Sequence, residues 1–243
     1  MSQPKPEGKK SPYFDLAEKY DLKIDFRSFI QVDGISSQEF RAQKVDLSDH
    51  SAVILTSKTA VDHYFRIAGE MRFEVPDSMK YFCISEAVAY YLQKYVTYRK
   101  RKIFFGKQTI LDLVDVLKKH KKETFLLPCA DRLRDRIPMT LEDNNLKFTK
   151  AVLYRTVAAD LSDLEDVYYD MLVFYSPGGI ESLLKNFPKF KQNKTIIAAF
   201  GPTTANAIVK NNLRLDLHAP QPNAPSMTGA IENYVKEELK TAK

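Results

Sequence analysis

Short apolar runs alternate with amphipathic stretches along most of the chain, which is the pattern of strands that alternate with helices. The apolar and alternating runs predict strands at 22–32, 53–56, 81–85, 102–105, 125–127, 147–157, 171–175, 195–200 and 215–217. Helical spacing predicts helices at 12–20, 58–68, 86–95, 109–120, 177–186, 202–211 and 226–239, and another after residue 130. Asp33 and Gly34 predict a turn, and Thr109 a helix cap. Strands and helices in this order form parallel sheets covered on both faces, so the predicted fold class is α/β.

One junction recurs four times: an apolar strand ends at a small or hydroxyl residue, and a helix starts at once. The junctions are at Ser57, Ser85, Ser176 and Gly201. They fall into two pairs with similar spacing, 28 residues from Ser57 to Ser85 and 26 from Ser176 to Pro202. The first N–H groups of a helix have no partner within the helix and lie at its positive dipole end, which favours anions. The repeat therefore predicts two similar lobes that present anion sites.

The charge balance is compatible with an acidic ligand. The chain has 243 residues, with 37 Lys and Arg against 31 Asp and Glu, a net charge of +6. Diffuse positive charge speeds the encounter with polyanions, but ordinary solubility explains it equally well. Only residues 95–102 interleave basic and aromatic residues, so we expect no nucleic-acid partner.

Cysteine and histidine usage excludes several other classes. Cys83 and Cys129 lie in or just after apolar runs, as buried thiols of a reducing compartment do. Four isolated histidines, expected at surface or capping positions, form no metal-ligand spacing with them. No apolar run is long enough to span a bilayer, and no secretory signal is present. We expect a cytoplasmic monomer without a membrane partner.

Established cofactor and nucleophile motifs are absent from the sequence. It contains no Gly-x-Gly-x-x-Gly, no Gly-x-x-x-x-Gly-Lys-Ser/Thr and no Gly-x-Ser-x-Gly. What remains is a set of helix starts, hydroxyls and arginines at the carboxyl ends of strands, where open α/β sheets bind ligands.

Six segments, in order, resemble the uroporphyrinogen-III synthase family. In the second half they are residues 174–180 (Phe-Tyr-Ser-Pro-Gly-Gly-Ile), 198–205 (Ala-Ala-Phe-Gly-Pro-Thr-Thr-Ala) and 222–228 (Pro-Asn-Ala-Pro-Ser-Met-Thr). In the first half they are residues 54–61, 125–134 and 152–156. The resemblance covers nearly the whole chain, and Gly-Pro-Thr-Thr-Ala is its most specific part.

The resemblance implies an architecture of two flavodoxin-like parallel-sheet lobes joined by a two-stranded β-ladder. Lobe one would be discontinuous in sequence (1–28 and 158–243), lobe two would comprise 35–148, and the ladder 24–34 and 149–158. It further implies a cleft that binds hydroxymethylbilane, a linear tetrapyrrole with eight carboxylates. The family closes this substrate to uroporphyrinogen III with inversion of the last ring and loss of water, using no cofactor or metal. The upstream bilane-producing enzyme is a further expected partner.

The resemblance also assigns roles to residues. Tyr154 matches a tyrosine credited with assisting departure of the substrate hydroxyl. The alternative explanation is that Tyr154 only packs within a linker strand. The expected substrate-binding residues share positions at or near the helix starts: Ser57, Lys58, Ser85, Glu86, Arg132, Arg134, Ser176, Gly178, Gly179, Gly201, Thr203 and Thr204. Arg155 could add a contact. The alternative explanations are that the arginines are merely solvated and that the two glycines only form a tight turn.

Three departures from the family pattern limit the resemblance, and the first supports an alternative. Val88 stands where the family often has threonine and Glu86 beside it adds a negative charge, and Gly178 replaces a serine. Residues 1–4 begin where the family's first strand should be ending, so we expect a trimmed chain or a misplaced start. The alternative is a non-catalytic module of the same fold that binds a tetrapyrrole or another anion.

Overall fold

The computed structural model describes residues 1–8, 10–132 and 136–241. Its helices are α1 (Pro12–Tyr20), α2 (Ser37–Ala42), α3 (Lys58–Glu70), α4 (Glu86–Leu92), α5 (Val114–Lys119), α6 (Arg136–Asp143), α7 (Pro177–Asn186), α8 (Pro202–Lys210) and α9 (Met227–Thr241). Its strands are β1 (Ile30–Gly34), β2 (Ala52–Leu55), β3 (Lys80–Cys83), β4 (Ile103–Phe105), β5 (Phe125–Ala130), β6 (Phe148–Ala158), β7 (Met171–Phe174), β8 (Ile196–Phe200) and β9 (Leu217–Ala219). Single 3₁₀ turns lie at Leu47–Asp49, Ile110–Leu113 and Ser162–Leu164.

The chain divides into two compact units. One comprises Met1–Gln31 together with Val157–Lys243, and the other comprises Val32–Thr156. We call them the terminal unit and the central unit. Each has a sheet and apolar clusters of its own.

The central unit is built on a six-stranded sheet in the order β1-β6-β5-β2-β3-β4. All pairings from β6 to β4 are parallel. Because successive strand residues point to opposite faces, Val53 and Leu55 of β2 enter one apolar cluster while Ala52 and Ile54 enter another. The sheet is therefore packed on both faces, as the apolar runs predicted.

The terminal unit contains the parallel sheet β7-β8-β9. Phe174 packs into one apolar cluster, and Val173 into the cluster on the other face. The first residues of the chain lie beside β7: the Ser2 N–H donates to the Val173 carbonyl at 2.9 Å, and the Met1 carbonyl accepts from the Arg27 N–H at 3.0 Å. The parallel α/β character predicted from the alternating elements is confirmed in both sheets.

The first predicted strand and the turn after it differ from the structure. No strand forms over residues 22–29, because apolar residues of this stretch pack on helices instead; the Phe26 ring meets the edges of Tyr13 and Phe14 at 5.9 and 6.0 Å. The predicted turn at Asp33 and Gly34 is also wrong, since both residues belong to β1, next to β6.

The sequence predicts that β5 ends before Pro128, but the strand continues through it to Ala130. The pairing of β5 with β2 stops at Leu126, so the missing N–H of Pro128 lies beyond that ladder, while Pro128 is still paired in register with Ala151 of β6. The last short strand is Leu217–Ala219 and not 215–217. The predicted helix at 109–120 begins as a 3₁₀ turn and becomes α-helical at Val114.

Candidate active site

The two serine junctions of the central unit lie at one edge of its sheet. Leu55 of β2 is in register with Cys83 of the neighbouring parallel strand β3, so the segments that follow both strands leave at the same edge. Ser57 is the N-cap of α3, and its Oγ accepts from the Ala60 N–H at 3.0 Å. Ser85 is the N-cap of α4, a helix of only seven residues.

Tyr154 lies in the same unit, on β6, with a half-buried side chain. Burial raises the pKa of its hydroxyl above the usual value, and a hydrogen bond with the Ser57 side chain opposes part of this effect. That opposing direction is expected when the Ser57 O–H donates to the phenolic oxygen. The Tyr154 hydroxyl is protonated at neutral pH, and its own proton is left for another acceptor.

The charged candidates of the central unit have different surroundings. Lys58 is exposed, with Nζ 5.4 Å from the centre of the Tyr91 ring. Glu86 is exposed in the first turn of α4. Arg155 forms an ion pair with Glu39. Arg132 is exposed in the turn after β5, and Arg134 lies outside the described residues.

Val88, which occupies the position where the resemblance predicted a hydroxyl, is 6 % exposed and belongs to the core of the central unit. The apolar side chain is therefore used for packing between α4 and the sheet.

The terminal unit has an equivalent edge, because β7 and β8 are parallel neighbours. Ser176 is the N-cap of α7, and its side chain makes no capping bond. Gly201 begins α8 with φ +84°, ψ 152°, a conformation that is essentially restricted to glycine. The next two hydroxyls diverge: Thr203 is exposed, whereas Thr204 is 1 % exposed.

The glycines after Ser176 make close contacts. A Cβ at the buried Gly179 would lie 3.2 Å from Cδ1 of Phe174 and 3.3 Å from Oγ of Ser2. At Gly178 the nearest atom, Cγ2 of Ile30, would be 3.4 Å away, which is ordinary van der Waals contact. Gly179 thus lets α7 approach β7 and the start of the chain.

Two features of these edges were missed by sequence reasoning. Tyr175, between β7 and Ser176, shares a hydrogen bond with the Tyr13 hydroxyl (O···O 2.5 Å), and burial raises the pKa of Tyr175. His63 stacks on Tyr154 with ring centroids 5.1 Å apart. The position of Tyr175 directly before the Ser176 junction could have indicated a role for it. The contact between His63 and Tyr154 has no signal in the sequence, because the two residues are far apart along the chain. His50 is buried and is the C-cap residue of the 3₁₀ turn Leu47–Asp49, which is one of the two kinds of position expected for the histidines; its Nδ1 contacts the Asp46 carbonyl at 2.8 Å.

Both cysteines are buried thiols that stay protonated at neutral pH. Cys83 and Cys129 are both buried, as predicted, and burial raises the pKa of Cys83 to about 12 and that of Cys129 to about 11. Among the described residues, no group of three His, Cys, Asp or Glu could hold a metal ion. In the same part of the chain, none of the helices has the length and apolar character required to cross a bilayer.

A family model described as uroporphyrinogen-III synthase HemD matches residues 12–229. The chain belongs to the uroporphyrinogen-III synthase family. A curated uroporphyrinogen-III synthase from Saccharomyces cerevisiae is 28 % identical over 115 residues, an alignment that spans 42 % of this chain and 42 % of the yeast protein. The resemblance noted in the sequence is thereby confirmed at the level of the family.

Two solved structures that carry the same family name align with most of this chain. A uroporphyrinogen-III synthetase structure from Helicobacter pylori has a TM-score of 0.56 and 18 % identity, covering 89 % of this chain and 96 % of that one. A mutant uroporphyrinogen III synthase from Thermus thermophilus has a TM-score of 0.47 and 14 % identity, covering 94 % of both chains. The Helicobacter pylori structure supports a family fold of mixed α/β type with mainly parallel strands.

Proposed function

We propose that this protein is a uroporphyrinogen-III synthase. It closes hydroxymethylbilane to uroporphyrinogen III, with inversion of the last ring and loss of water. The observation that carries the proposal is the family match over residues 12–229, which includes Tyr154 and all four strand-to-helix junctions. The chemistry needs no cofactor or metal, because the electron-rich pyrroles of the substrate supply the electrons.

The first chemical step is loss of the terminal hydroxyl. The carbon–oxygen bond breaks, the Tyr154 hydroxyl donates its proton to the departing oxygen, and water leaves. The pyrrole nitrogen lone pair stabilises the resulting cation as an azafulvene. A phenol with a raised pKa stays protonated and can act as this donor, and general acid assistance contributes about 10²- to 10⁴-fold to the rate.

The substrate carboxylates are bound at the helix starts. Amides in the first turns of α3, α7 and α8 are the proposed donors, and each dipole end stabilises an anion by about 0.3–1 kcal/mol. Ser85, Thr203, Thr204, Gly178 and Gly179 complete the proposed set of backbone and hydroxyl contacts. Lys58, Arg132, Arg134 and Arg155 add positive charge, and the net charge of +6 favours approach of a polyanion.

We propose that the chain forms two flavodoxin-like lobes joined by a two-stranded ladder, and that each lobe presents helix starts to the substrate. Two similar junction pairs, one in each compact unit, support this proposal. We propose in addition that the protein is a cytoplasmic monomer that receives its substrate from the bilane-producing enzyme.

The reaction is tested by its product. Hydroxymethylbilane closes without an enzyme to the type I isomer, so the ratio of type III to type I, measured by chromatography after oxidation to the porphyrins, reports catalysis. We expect type III to predominate. Accumulation of type I alone would refute the proposed function.

Tyr154→Phe removes only the proposed proton donor. We expect turnover to fall about 10²- to 10⁴-fold with little change in KM, because the ring and the carboxylate contacts remain. Tyr168→Phe, at a position that is 67 % exposed, is the matched control and should retain wild-type turnover. Unchanged turnover in Tyr154→Phe would show that the Tyr154 hydroxyl does not assist the reaction and that the side chain serves only in packing.

A non-catalytic anion-binding module is the second candidate, favoured by the exposed Glu86 in the first turn of α4. A negative charge there weakens one of the carboxylate contacts proposed to hold the bilane for ring closure, while the other helix starts still bind anions. This candidate predicts that the protein binds the bilane, measurable by fluorescence quenching, and leaves the isomer ratio at that of the uncatalysed reaction.

A further inference from the structure

Tyr154 is held by a layer of side chains from α3 that the proposed reaction does not itself use. Its ring lies nearly parallel to the imidazole of His63, at a centroid distance of 5.1 Å and an angle of 20°. Both side chains are half-buried. The orientation of the phenol is therefore coupled to the orientation of His63.

His63 is in turn fixed by Arg66, one turn later on α3. Nε of Arg66 donates to Nδ1 of His63 at 3.0 Å. An imidazole whose Nδ1 accepts this bond carries its single proton on Nε2 and is neutral. Protonating Nδ1 would break the bond and place a second positive charge beside the guanidinium.

Arg66 also reaches the backbone next to Tyr154. One terminal nitrogen donates to the Leu153 carbonyl at 3.1 Å, and the other pairs with Glu70 at 2.6 Å. The guanidinium uses its fork of donors to connect the His63 ring with the strand residue that directly precedes Tyr154. The same Arg66 side chain therefore contacts both the ring that stacks on Tyr154 and the backbone that precedes Tyr154.

Gly34 at the end of β1 leaves the space that this guanidinium occupies. A Cβ at position 34 would lie 2.7 Å from Cζ and 2.7 Å from the nearer terminal nitrogen of Arg66. The φ of Gly34 is not positive, so its backbone accepts a side chain without strain. Alanine at this position would displace the end of Arg66.

We propose that His63 and Arg66, seated on Gly34, are positioning residues that hold the Tyr154 hydroxyl in place for proton donation. This inference rests on the proposed synthase function. The charged groups that act on His63 are Arg66, which disfavours its protonation, and Asp62 and Glu70, which favour it. Burial, the largest influence, also lowers the pKa of His63, so the imidazole is neutral at pH 7.

The test moves Arg66 without touching Tyr154 or any proposed substrate contact. We expect Gly34→Ala to lower kcat about 10- to 100-fold, the range associated with misplaced catalytic groups, with KM changed less than about twofold. Gly69→Ala is the matched control, because Gly69 is exposed near the end of the same helix and a Cβ added there would meet no atom within 4 Å. It should have wild-type kinetics.

A double-mutant cycle separates positioning from general disruption. If Gly34 acts through Tyr154, then Gly34→Ala should lower kcat by less than about twofold in the Tyr154→Phe background, because the donor is already absent. An equal loss of kcat in both backgrounds, or no loss in the wild-type background, would overturn the inference.

A second measurement does not depend on activity. NMR titration should place the pKa of His63 below about 6.5 in the wild-type protein and closer to 6.5 in Gly34→Ala and Arg66→Met. If the wild-type protein makes only the type I isomer, the proposed function fails. If it makes type III, but Gly34→Ala matches Gly69→Ala in both kcat and His63 pKa, the positioning inference alone fails.

Discussion

At the scale of single residues, burial alone does not distinguish Tyr154 from other tyrosines. Burial raises the pKa of Tyr154, Tyr13 and Tyr175 above the ordinary value for tyrosine, which already lies well above neutral pH, so all three hydroxyls are protonated at pH 7. Only Tyr154 also combines a hydrogen bond from a helix-capping serine with a stacked histidine. Its distinction is the set of side chains around it.

Gly201 gives a residue-scale prediction about stability. Its φ of +84° is restricted to glycine, although a Cβ there would meet no atom within 4 Å. Gly201→Ala should therefore lower the free energy of unfolding by about 1–3 kcal/mol through backbone strain alone. Urea denaturation followed by circular dichroism measures this change.

Gly69→Ala again serves as the control, since Gly69 has equal space but lies in a helix, where alanine is preferred. We expect it to be neutral or stabilising. A Gly201→Ala protein as stable as the wild type would show that the start of α8 relaxes without cost.

At the scale of elements, one carboxylate of α9 binds two side chains of α1. Glu232 accepts hydrogen bonds from Lys19 at 2.8 Å and from the Tyr20 hydroxyl at 2.9 Å, and it pairs with Lys236 at 3.1 Å. These donors, Lys19 foremost, lower the pKa of Glu232 to about 2. The two helices are distant in sequence, so the contact stabilises only the folded terminal unit.

Glu232→Gln should change the pH dependence of stability. A carboxylate whose pKa falls from near 4.5 to about 2 on folding stabilises the folded state above pH 4.5, and this stabilisation is lost as the pH falls towards 2. The loss of stability between pH 7 and pH 3, measured by urea midpoints, should be smaller in Glu232→Gln than in the wild type. Glu18→Gln, at an exposed position of α1, should keep the wild-type difference.

At the scale of the whole molecule, the chain builds two separate cores. Ile197 is fully buried in a cluster of the terminal unit, and Ile54 in a cluster of the central unit. The cluster that contains Ile197 draws its buried members from the terminal unit alone, and the cluster that contains Ile54 from the central unit alone. The chain satisfies the hydrophobic requirement of each sheet within its own unit.

Ile197→Ala should destabilise the terminal unit selectively, by about 2–5 kcal/mol, since it leaves a cavity in that core. Amide hydrogen exchange followed by mass spectrometry should become faster in β7 and β9 and stay unchanged in β2. Val209→Ala, at an exposed site of α8, is the control and should leave both units unchanged. Equally accelerated exchange in β2 would show that the two units unfold together.

Most of the fold could be predicted from local pattern, and the exceptions have physical causes. The strand-to-helix junctions at Ser57, Ser85 and Ser176 are predictable because an apolar run followed by a capping hydroxyl is a local backbone signal. The stretch 22–29 alternates as a strand does, yet its apolar residues meet helices. Pro128 predicted the end of a strand because proline lacks the N–H that a strand ladder uses. The sequence does not reveal that the pairing with β2 has already stopped before Pro128, so that the strand can continue through it.

The sequence by itself determined the α/β class, the helix starts and the family, because these depend on residues that are adjacent in the chain. Tertiary structure alone decided which side chains meet: that Thr204 is buried while Thr203 is exposed, that Val88 packs a core, and that His63 lies against Tyr154. His63 and Tyr154 are far apart in sequence, and no short-range pattern encodes their contact. Their stacking results from the close packing of α3 on the sheet, since only a folded core brings such positions within van der Waals distance.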